Sequence, residues 1–234
     1  VLDTDIIKVA SGETVNVPFL RDVARTGLPV IMSTGMCDMG DVRLGVDTLN
    51  AVWDAAGRRP ALTLMNCTTS YPTPMHEVHL RSMRTLADTF GCPVGLSDHS
   101  AGISAALASV ALGATVIEKH FTLDRSMPGP DHAASLDPAQ LKALVAGVRE
   151  VEQAMGSPVK ERRACEADLT NTIRRSLVAV RDIAPGETIA ADMLVALRPE
   201  DGIPARDIDK VVGRPAWRAF AGGEVLRWDG AEAS

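Results

Sequence analysis

The sequence is poor in aromatic residues, basic clusters and long apolar runs. Four Phe, three Trp and one Tyr make up only 3% of the 234 residues, so the core must consist mainly of aliphatic side chains and alanine. The net charge of −6 is spread along the chain, which gives no electrostatic footprint for nucleic acid or an anionic membrane. No apolar run approaches the roughly 20 residues of a membrane-spanning helix. A hydrophobic content of 46% excludes general disorder.

The four cysteines are widely spaced and form no CxxC pair. We expect no secretory leader, and we expect reduced thiols in a cytoplasmic protein. None has a neighbouring histidine pattern, and we interpret all four as small core or loop residues. The first residue is Val and a predicted strand follows almost at once, so we expect the sequence to be a fragment.

Residues 1–156 alternate short apolar runs of β type with segments of helical periodicity. The runs are Ile6–Ala10, Pro29–Met32, Ala61–Met65, Pro93–Leu96 and Ala114–Ile117. The helical segments between them end at glycines suited to a left-handed cap, namely Gly27, Gly57, Gly91 and Gly113. The series Asp137-Pro-Ala-Gln140 predicts the start of a last helix that ends at Gly156. Five such units predict a parallel sheet that is buried on both faces.

Two architectures fit a parallel sheet of this kind, an open doubly wound sheet and part of a (β/α)8 TIM barrel. Small polar or charged residues follow all five apolar runs. An open sheet concentrates its site at one switch point, whereas a barrel uses the carboxyl ends of all its strands. The pattern therefore favours a partial barrel of about five βα units, with three units missing or supplied from elsewhere.

The polarity and the periodicity of the sequence change after residue 156. Residues 157–172 are polar and aperiodic, which predicts a linker. Residues 173–234 predict a small, mainly β unit, with a strand at Arg175–Val180, a turn at Ala184–Glu187 and a further turn and strand at Gly222–Leu226.

Two histidines, His99 and His120, each follow a buried run at its carboxyl end. Side chains at strand ends converge on the mouth of a barrel, so two imidazoles there could share a metal ion. Two ligands without a cysteine or an obvious third carboxylate favour Mn2+ or Mg2+ with several waters over structural Zn2+. The alternative is that they are two unrelated loop histidines.

Hydroxyl groups recur at the ends of successive runs. Such groups and nearby backbone N–H groups bind phosphate or carboxylate, and a lysine would add a point charge; the candidates are Ser11, Ser33, Thr69, Ser97 and Lys8. The alternative is that Ser, Thr and Gly simply mark strand-to-helix turns.

Charged residues near the strand ends are candidates for proton transfer: Glu13, Asp98, Glu118 and Lys119. Lys119 or Lys8 could equally be a Schiff-base nucleophile. The alternative for each is a structural ion pair.

Six motifs occur in an order that resembles the sialic acid synthase (N-acetylneuraminate synthase) family. They are Lys8-Val-Ala-Ser11-Gly-Glu13, Ser33-Thr-Gly-Met36, Cys67-Thr-Thr-Ser-Tyr71-Pro-Thr-Pro74, Gly95-Leu-Ser97-Asp-His99, Glu118-Lys-His120-Phe-Thr and Gly129-Pro-Asp131-His132. The C-terminal unit is similar to the family's antifreeze-like (SAF) domain, through Arg174-Arg-Ser-Leu-Val-Ala and Leu197-Arg198-Pro-Glu-Asp-Gly-Ile-Pro204.

This resemblance implies a metal-dependent condensation of phosphoenolpyruvate with an N-acetylmannosamine-like sugar, in which C–O cleavage releases phosphate and yields a nonulosonic acid. It implies that Mn2+, Mg2+ or Co2+ is held by His99 and His120. Phosphoenolpyruvate is expected at Lys8, Ser11, Ser33, Thr69 and Ser97. Glu13 is expected beside the carbon that becomes cationic.

The resemblance also assigns the sugar contacts and an assembly. Tyr71 and Asp131 match sugar-hydroxyl positions, and Arg198 matches an arginine that reaches into a partner's barrel, which implies a domain-swapped homodimer. The family's first three βα units are absent, with a glutamate and a lysine that complete the site, so we expect the chain alone to be inactive or poorly folded. His132 favours a neuraminate or legionaminate synthase over a pseudaminate synthase.

Two other functions compete with this interpretation. A Schiff-base barrel aldolase or lyase would use Lys119 or Lys8, would survive EDTA and would be trapped by borohydride. A non-catalytic protein would use the SAF-like unit as a binding module on a degenerate barrel, and Mn2+ would not shift its thermal unfolding.

Overall fold

The computed structural model describes residues 4–229, which fall into two compact units that divide between Gly156 and Ser157. The first unit is an α/β structure, and the second is small and contains short strands and helical turns. Among the helices of these residues, none combines the length and the apolar character needed to cross a membrane.

The first unit consists of five strands, each followed by a helix. In chain order they are β1 Ile7–Val9, α1 Val17–Thr26, β2 Val30–Ser33, α2 Met39–Ala55, β3 Leu62–Cys67, α3 Ser82–Phe90, β4 Val94–Asp98, α4 Ser104–Ala111, β5 Ala114–Lys119 and α5 Pro138–Met155. All paired strands are parallel, and their spatial order is β1-β2-β3-β4-β5. A doubly wound sheet reverses its order at a switch point, whereas this order runs in one direction. The prediction of a partial barrel is confirmed.

The core of the first unit lies between the sheet and its helices. Met32, Leu64 and Leu96 from the strands form one buried cluster with Leu49 and Trp53 of α2. Trp53 is the largest side chain in this cluster, and nearly all the others are aliphatic or methionine. A chain with so few aromatic residues thus builds its core from aliphatic side chains, as predicted. The edge strand β5 is only partly buried along its length.

The helix ends of the first unit follow the predicted local signals. Gly27 and Gly91 cap α1 and α3 with φ of 72° and 63°, in the left-handed region that glycine adopts without strain. At the start of α5, the Asp137 carboxylate accepts a hydrogen bond of 2.8 Å from the backbone N–H of Gln140. The Gln140 side chain accepts one of 3.2 Å from the backbone N–H of Asp137, which completes the predicted capping box.

The second unit has its own core. Its regular elements are α6 Ala167–Ile173, β6 Ser176–Ala179 and β7 Leu194–Leu197, and β6 pairs with β7 in antiparallel orientation. Leu177 of β6 forms one buried cluster with residues that include Ile183, Ile189, Phe220 and Leu226. The predicted strand at Arg175–Val180 therefore exists as β6. The predicted strand near Val225 is reduced to a single bridge with Val178.

Residues 157–172 are more ordered than the predicted linker. They contain a 3-10 turn at Ala164–Glu166 and most of α6. The turn forms because the Glu166 carboxylate accepts a hydrogen bond of 2.8 Å from the backbone N–H of Arg163. The Thr170 hydroxyl donates to the Glu166 carbonyl over 2.8 Å. The segment has no hydrophobic periodicity, so the sequence pattern did not predict its helix.

Candidate active site

The carboxyl ends of β1 to β5 surround a pocket of about 280 Å3. Because parallel strands end at the same edge of a sheet, residues far apart in sequence meet there. Eight of the predicted site residues line it: Lys8, Ser11, Ser33, Thr69, Tyr71, Ser97, His99 and His120. Cys67 and Glu118 also line it. The structure thus brings most of the predicted residues into a single cavity.

One side of the pocket is an ion pair supported by a hydroxyl. Lys8 Nζ lies 3.1 Å from Glu118 Oε2, and the Ser97 hydroxyl donates to Glu118 Oε1 over 2.7 Å. Glu118 therefore holds one group from β1 and one from β4. The Lys8 side chain is one-third exposed, so its charge remains available to an anion in the pocket.

The pocket also holds an unpaired buried hydroxyl. Ser33 is 1% exposed, and within residues 4–229 its Oγ has no hydrogen-bond partner. A buried polar group without a partner is costly in free energy, and such groups are usually satisfied by a ligand or water. Ser33 Oγ is therefore free to bind a polar atom of a ligand or a water molecule.

Gly35 shows how closely the hydroxyl groups are gathered. A Cβ atom there would lie 2.3 Å from Thr69 Oγ1, 2.8 Å from Ser11 Oγ and 3.1 Å from Cys67 Sγ. The Gly35 backbone N–H already donates to Ser11 Oγ over 2.9 Å. We call the hydroxyls of Ser11, Ser33 and Thr69, which all line the pocket, the hydroxyl floor. Those of Ser11 and Thr69 leave no room for a side chain at Gly35.

His99 and His120 lie close together at the mouth of the pocket. Their ring centroids are 5.2 Å apart, and the Tyr71 ring is 4.2 Å from His99 and 5.3 Å from His120. His99 Nδ1 is 2.9 Å from the Thr68 carbonyl, so we assign the proton to Nδ1, and Nε2 keeps a lone pair. His120 Nδ1 lies 3.8 Å from Asp131 Oδ2.

The donor set suits a loosely held cation. Metal-binding histidines usually turn the second ring nitrogen toward a carbonyl or a carboxylate, as His99 and His120 do. Among residues 4–229, no three His, Cys, Asp or Glu side chains are gathered to hold a metal by themselves. Two imidazoles would leave the other positions of a divalent ion to water or substrate oxygens.

Cys67 is the site residue that the sequence interpretation missed. Its Sγ lies 3.8 Å from His99 Nδ1, although the two residues are 32 positions apart. Burial acts to raise the pKa of Cys67, but hydrogen bonds with His99 and Ser11 outweigh it and leave the pKa below its ordinary value. Burial acts to lower the pKa of His99, and hydrogen bonds with Cys67 and the Thr68 carbonyl raise it overall. The available sequence signal for this contact was that Cys67 and His99 follow two successive apolar runs, Ala61–Met65 and Pro93–Leu96.

Three predicted residues lie outside the pocket lining. Glu13 is on a 3-10 turn, where its carboxylate accepts a hydrogen bond of 2.6 Å from Asn16 Nδ2. Asp131 is more than half exposed beside His120. Arg198 belongs to the second unit, where its Nε donates to the Ile173 carbonyl over 2.8 Å.

The two Schiff-base candidates differ in access to the pocket. Lys119 Nζ is 2.8 Å from Asp98 Oδ2 in a pair whose side chains are 3% and 1% exposed. A lysine buried against a carboxylate is not an accessible nucleophile. Lys8 does line the pocket, but it pairs with Glu118.

Comparison with known proteins identifies both units. The profile of the NeuB family matches residues 1–160, and the SAF domain profile matches residues 174–232. The chain belongs to the NeuB family. It carries the family's barrel-type unit followed by an SAF domain.

The relatives of this NeuB family chain include enzymes of known product. It is 42% identical over 226 residues to the N,N'-diacetyllegionaminic acid synthase of Campylobacter jejuni, which covers 97% of this chain and 67% of the relative. It is 38% identical to human N-acetylneuraminate-9-phosphate synthase, over 91% of this chain and 58% of the relative. The crystal structure of N-acetylneuraminic acid synthetase from Leptospira borgpetersenii matches with a TM-score of 0.64 and 32% identity, over 71% of this chain and 56% of that one. The chain thus spans between 56% and 67% of their lengths.

Proposed function

We propose that this chain provides the phosphoenolpyruvate pocket and the metal ligands of a nonulosonic (sialic) acid synthase. The observation that carries the proposal is the convergence of a lysine, a floor of hydroxyls and two histidines on one cavity. The names of the relatives, which are legionaminic acid and N-acetylneuraminate-9-phosphate synthases, support the reaction class. The reaction joins phosphoenolpyruvate to the aldehyde of an N-acylated amino sugar, adds water and releases phosphate.

The anionic substrate suits the side of the pocket formed by Lys8 and the hydroxyl floor. Lys8 Nζ supplies a positive charge, and the hydroxyls of Ser11, Ser33 and Thr69 supply donors for the phosphate and carboxylate oxygens. Ser97 would join them by turning its hydroxyl from Glu118 to the substrate. Because Ser33 Oγ has no partner among the described residues, binding a phosphate or carboxylate oxygen there satisfies a buried group. Fixing both ends of phosphoenolpyruvate orients its nucleophilic carbon toward the aldehyde.

His99 and His120 are the proposed holders of a divalent cation, Mn2+ in preference to Mg2+ or Co2+. When bound, such a cation polarises the aldehyde oxygen as a Lewis acid. The Thr68 carbonyl holds His99 in the tautomer that leaves Nε2 free, and Asp131 faces Nδ1 of His120. The Tyr71 ring lies beside both imidazoles at a tilt, and its hydroxyl is proposed to contact the sugar together with Asp131.

The proposed reaction cleaves the C–O bond between phosphoenolpyruvate and its phosphate. The phosphoenolpyruvate carbon forms a bond to the aldehyde carbon, and the aldehyde oxygen takes a proton. Water adds to the carbon that has become cationic, and phosphate leaves with the bridging oxygen. Glu13, next to Gly12 of the pocket lining, is proposed to stabilise that cationic carbon from the rim or to move the proton of the water.

Arg198 and the assembly are a further part of the proposal. Arg198 would contact the sugar in the pocket of a second copy, so that a domain-swapped homodimer forms both sites. We place the activity in the cytoplasm, which the four free thiols support. A Schiff-base mechanism gains no support from Lys119, which is buried against Asp98.

The test is phosphate release from phosphoenolpyruvate by the product of the full natural reading frame. The assay contains Mn2+ and either N-acetylmannosamine or a bacillosamine-derived sugar, with and without EDTA. Release that needs both one sugar and Mn2+ is the expected result, with no turnover by the 234-residue chain alone. EDTA-resistant turnover together with a borohydride-trapped adduct on Lys8 would replace the proposal with a Schiff-base lyase. No Mn2+-dependent thermal shift, with no turnover, would favour a non-catalytic binding protein.

A further inference from the structure

A buried ion pair lies at the ends of the two strands that precede the histidines. Asp98 is the last residue of β4 and Lys119 is the last residue of β5, and they are partners in the strand register. Lys119 Nζ lies 2.8 Å from Asp98 Oδ2, with the side chains 3% and 1% exposed. Each residue immediately precedes one of the proposed metal ligands, His99 and His120.

The backbone around Ser100 completes this arrangement. Lys119 Nζ also donates to the Ser100 carbonyl over 2.5 Å, and the Ser100 backbone N–H donates to Asp98 Oδ1 over 2.8 Å. The two contacts of Lys119 Nζ, with Asp98 Oδ2 and with the Ser100 carbonyl, tie the residues on both sides of His99 to the end of β5. We call Asp98, Lys119 and the Ser100 backbone the strand clamp.

The strand clamp lies on the opposite face of the sheet from the pocket. Successive side chains of a strand point to opposite faces. Ser97 and Glu118 line the pocket, so their neighbours Asp98 and Lys119 point away from it. Lys119 instead lines a second cavity, together with apolar residues of β5 and α5. The ion pair therefore does not contact substrate in the proposed reaction, and its buried charges need another explanation.

The position of the clamp supplies that explanation. The backbone ladder between β4 and β5 stops at Asp98 and Lys119, and the histidines come one residue later. Among the described residues β5 pairs with β4 alone. The ion pair is thus the last lateral contact between the two strands before their histidines.

We propose that Asp98 and Lys119 are positioning residues that fix the separation of His99 and His120 for a shared divalent cation. This inference rests on the proposed metal site and deepens it. A salt bridge with defined hydrogen bonds fixes distance and direction, whereas an apolar pair of similar volume fills space without directing the strand ends. Partners that hydrogen-bond to metal ligands change metal affinity by about 10–100-fold when they are removed. The clamp acts through the backbone next to the ligands, so we expect an effect near the lower end of that range.

The test measures Mn2+ binding by the product of the full natural reading frame, stripped of metal. Free Mn2+ is followed by electron paramagnetic resonance without any substrate, and thermal unfolding without metal is measured in parallel. The variants are His99→Ala, Lys119→Arg, Lys119→Met and the double variant Asp98→Leu/Lys119→Met. Apolar replacement of a buried ion pair often preserves stability, so the double variant separates positioning from folding.

The clamp predicts a specific combination of results. The double variant should unfold near the wild-type temperature but bind Mn2+ about 10-fold or more weakly. Lys119→Arg keeps a cation opposite Asp98 and should bind Mn2+ more tightly than the double variant does. Wild-type affinity for Mn2+ in a folded double variant overturns the inference about the clamp. If His99→Ala loses Mn2+ binding in the same experiment, the proposed metal site is still supported.

Two further outcomes are also decisive. If the wild-type protein binds no Mn2+, or His99→Ala binds it equally well, both the metal site and the clamp are wrong. If the double variant does not fold, Asp98→Asn replaces it, because the amide keeps the size of the carboxylate and loses its charge. A folded Asp98→Asn protein with weakened Mn2+ binding supports the clamp, and unchanged binding overturns it.

Discussion

Glu118 and Lys8 join the two edges of the described sheet, with Lys8 Nζ 3.1 Å from Glu118 Oε2. β1 and β5 share no backbone ladder in the five-stranded order, so the contact crosses the mouth of the pocket. It brings a positive charge next to the hydroxyls of Ser33 and Ser97. The anion-binding role proposed for the pocket depends on this relationship.

Replacing Lys8 tests that role. Lys8→Met removes the cation and leaves the Glu118 carboxylate unpaired, so it repels an anionic substrate. Hydrogen bonds to charged groups contribute about 1.5–3 kcal/mol, which predicts a rise of roughly 10–100-fold in KM for phosphoenolpyruvate. Initial rates over a range of phosphoenolpyruvate concentrations measure it. Lys8→Arg keeps the charge and is the control, and an unchanged KM in Lys8→Met would contradict the assignment.

A methyl group at Gly35 should disturb the hydroxyl floor. Its Cβ would press against Thr69 Oγ1 and Ser11 Oγ at 2.3 and 2.8 Å, and the backbone at this position is open to alanine. We expect Gly35→Ala to lower kcat/KM for phosphoenolpyruvate at least about 10-fold, with about 1–3 kcal/mol lost in stability. Urea unfolding of the same variant separates a loss of activity from a loss of folding. A kcat/KM equal to that of the wild-type protein would argue against a ligand on this floor.

Cys67 provides a chemical probe of the same cavity. Its thiol lines the pocket, whereas Cys165 is exposed in the second unit. Phosphoenolpyruvate should therefore slow alkylation of Cys67 by iodoacetamide and leave that of Cys165 unchanged, because a ligand in the pocket covers only the first of these thiols. Peptide mass spectrometry over a time course reports both rates in one sample. Equal rates at Cys67 with and without phosphoenolpyruvate would place the substrate elsewhere.

The cap at the start of α5 allows a test of folding stability that is independent of catalysis. Asp137→Ala removes the acceptor of the Gln140 N–H and should reduce the free energy of unfolding by about 1 kcal/mol. Asp137→Asn retains an oxygen that can accept the same bond and should cost less. Urea unfolding of both variants gives the comparison. An alanine variant as stable as the asparagine variant would show that the cap contributes nothing.

Local signals predicted most of the first unit. Apolar runs became β1 to β5 because strands with both faces buried read as continuous apolar sequence, and Gly27 and Gly91 ended helices because only glycine takes positive φ without strain. Because neighbouring parallel strands end at the same edge of a sheet, the sequence predicts that His99 lies near His120. It does not predict the distance between their rings.

The missed features are contacts between distant residues. The proximity of Cys67 to His99 depends on the β3–β4 register, which no local pattern encodes. Lys119 was a candidate nucleophile in the sequence, yet Glu118 faces the pocket, so alternation along β5 turns Lys119 the other way. The linker helix was missed because its Leu169 and Ile173 are half exposed and give no amphipathic signal.

The fate of the bridging oxygen of phosphoenolpyruvate tests the proposed reaction most directly. The substrate is labelled with heavy oxygen at that position and incubated with Mn2+, the accepted sugar and the product of the full natural reading frame. Cleavage of the C–O bond predicts that the label leaves in the phosphate, only when the sugar is present and only without EDTA. Label retained in the organic product would mean cleavage of the P–O bond, and the proposed roles of the pocket residues would then be wrong.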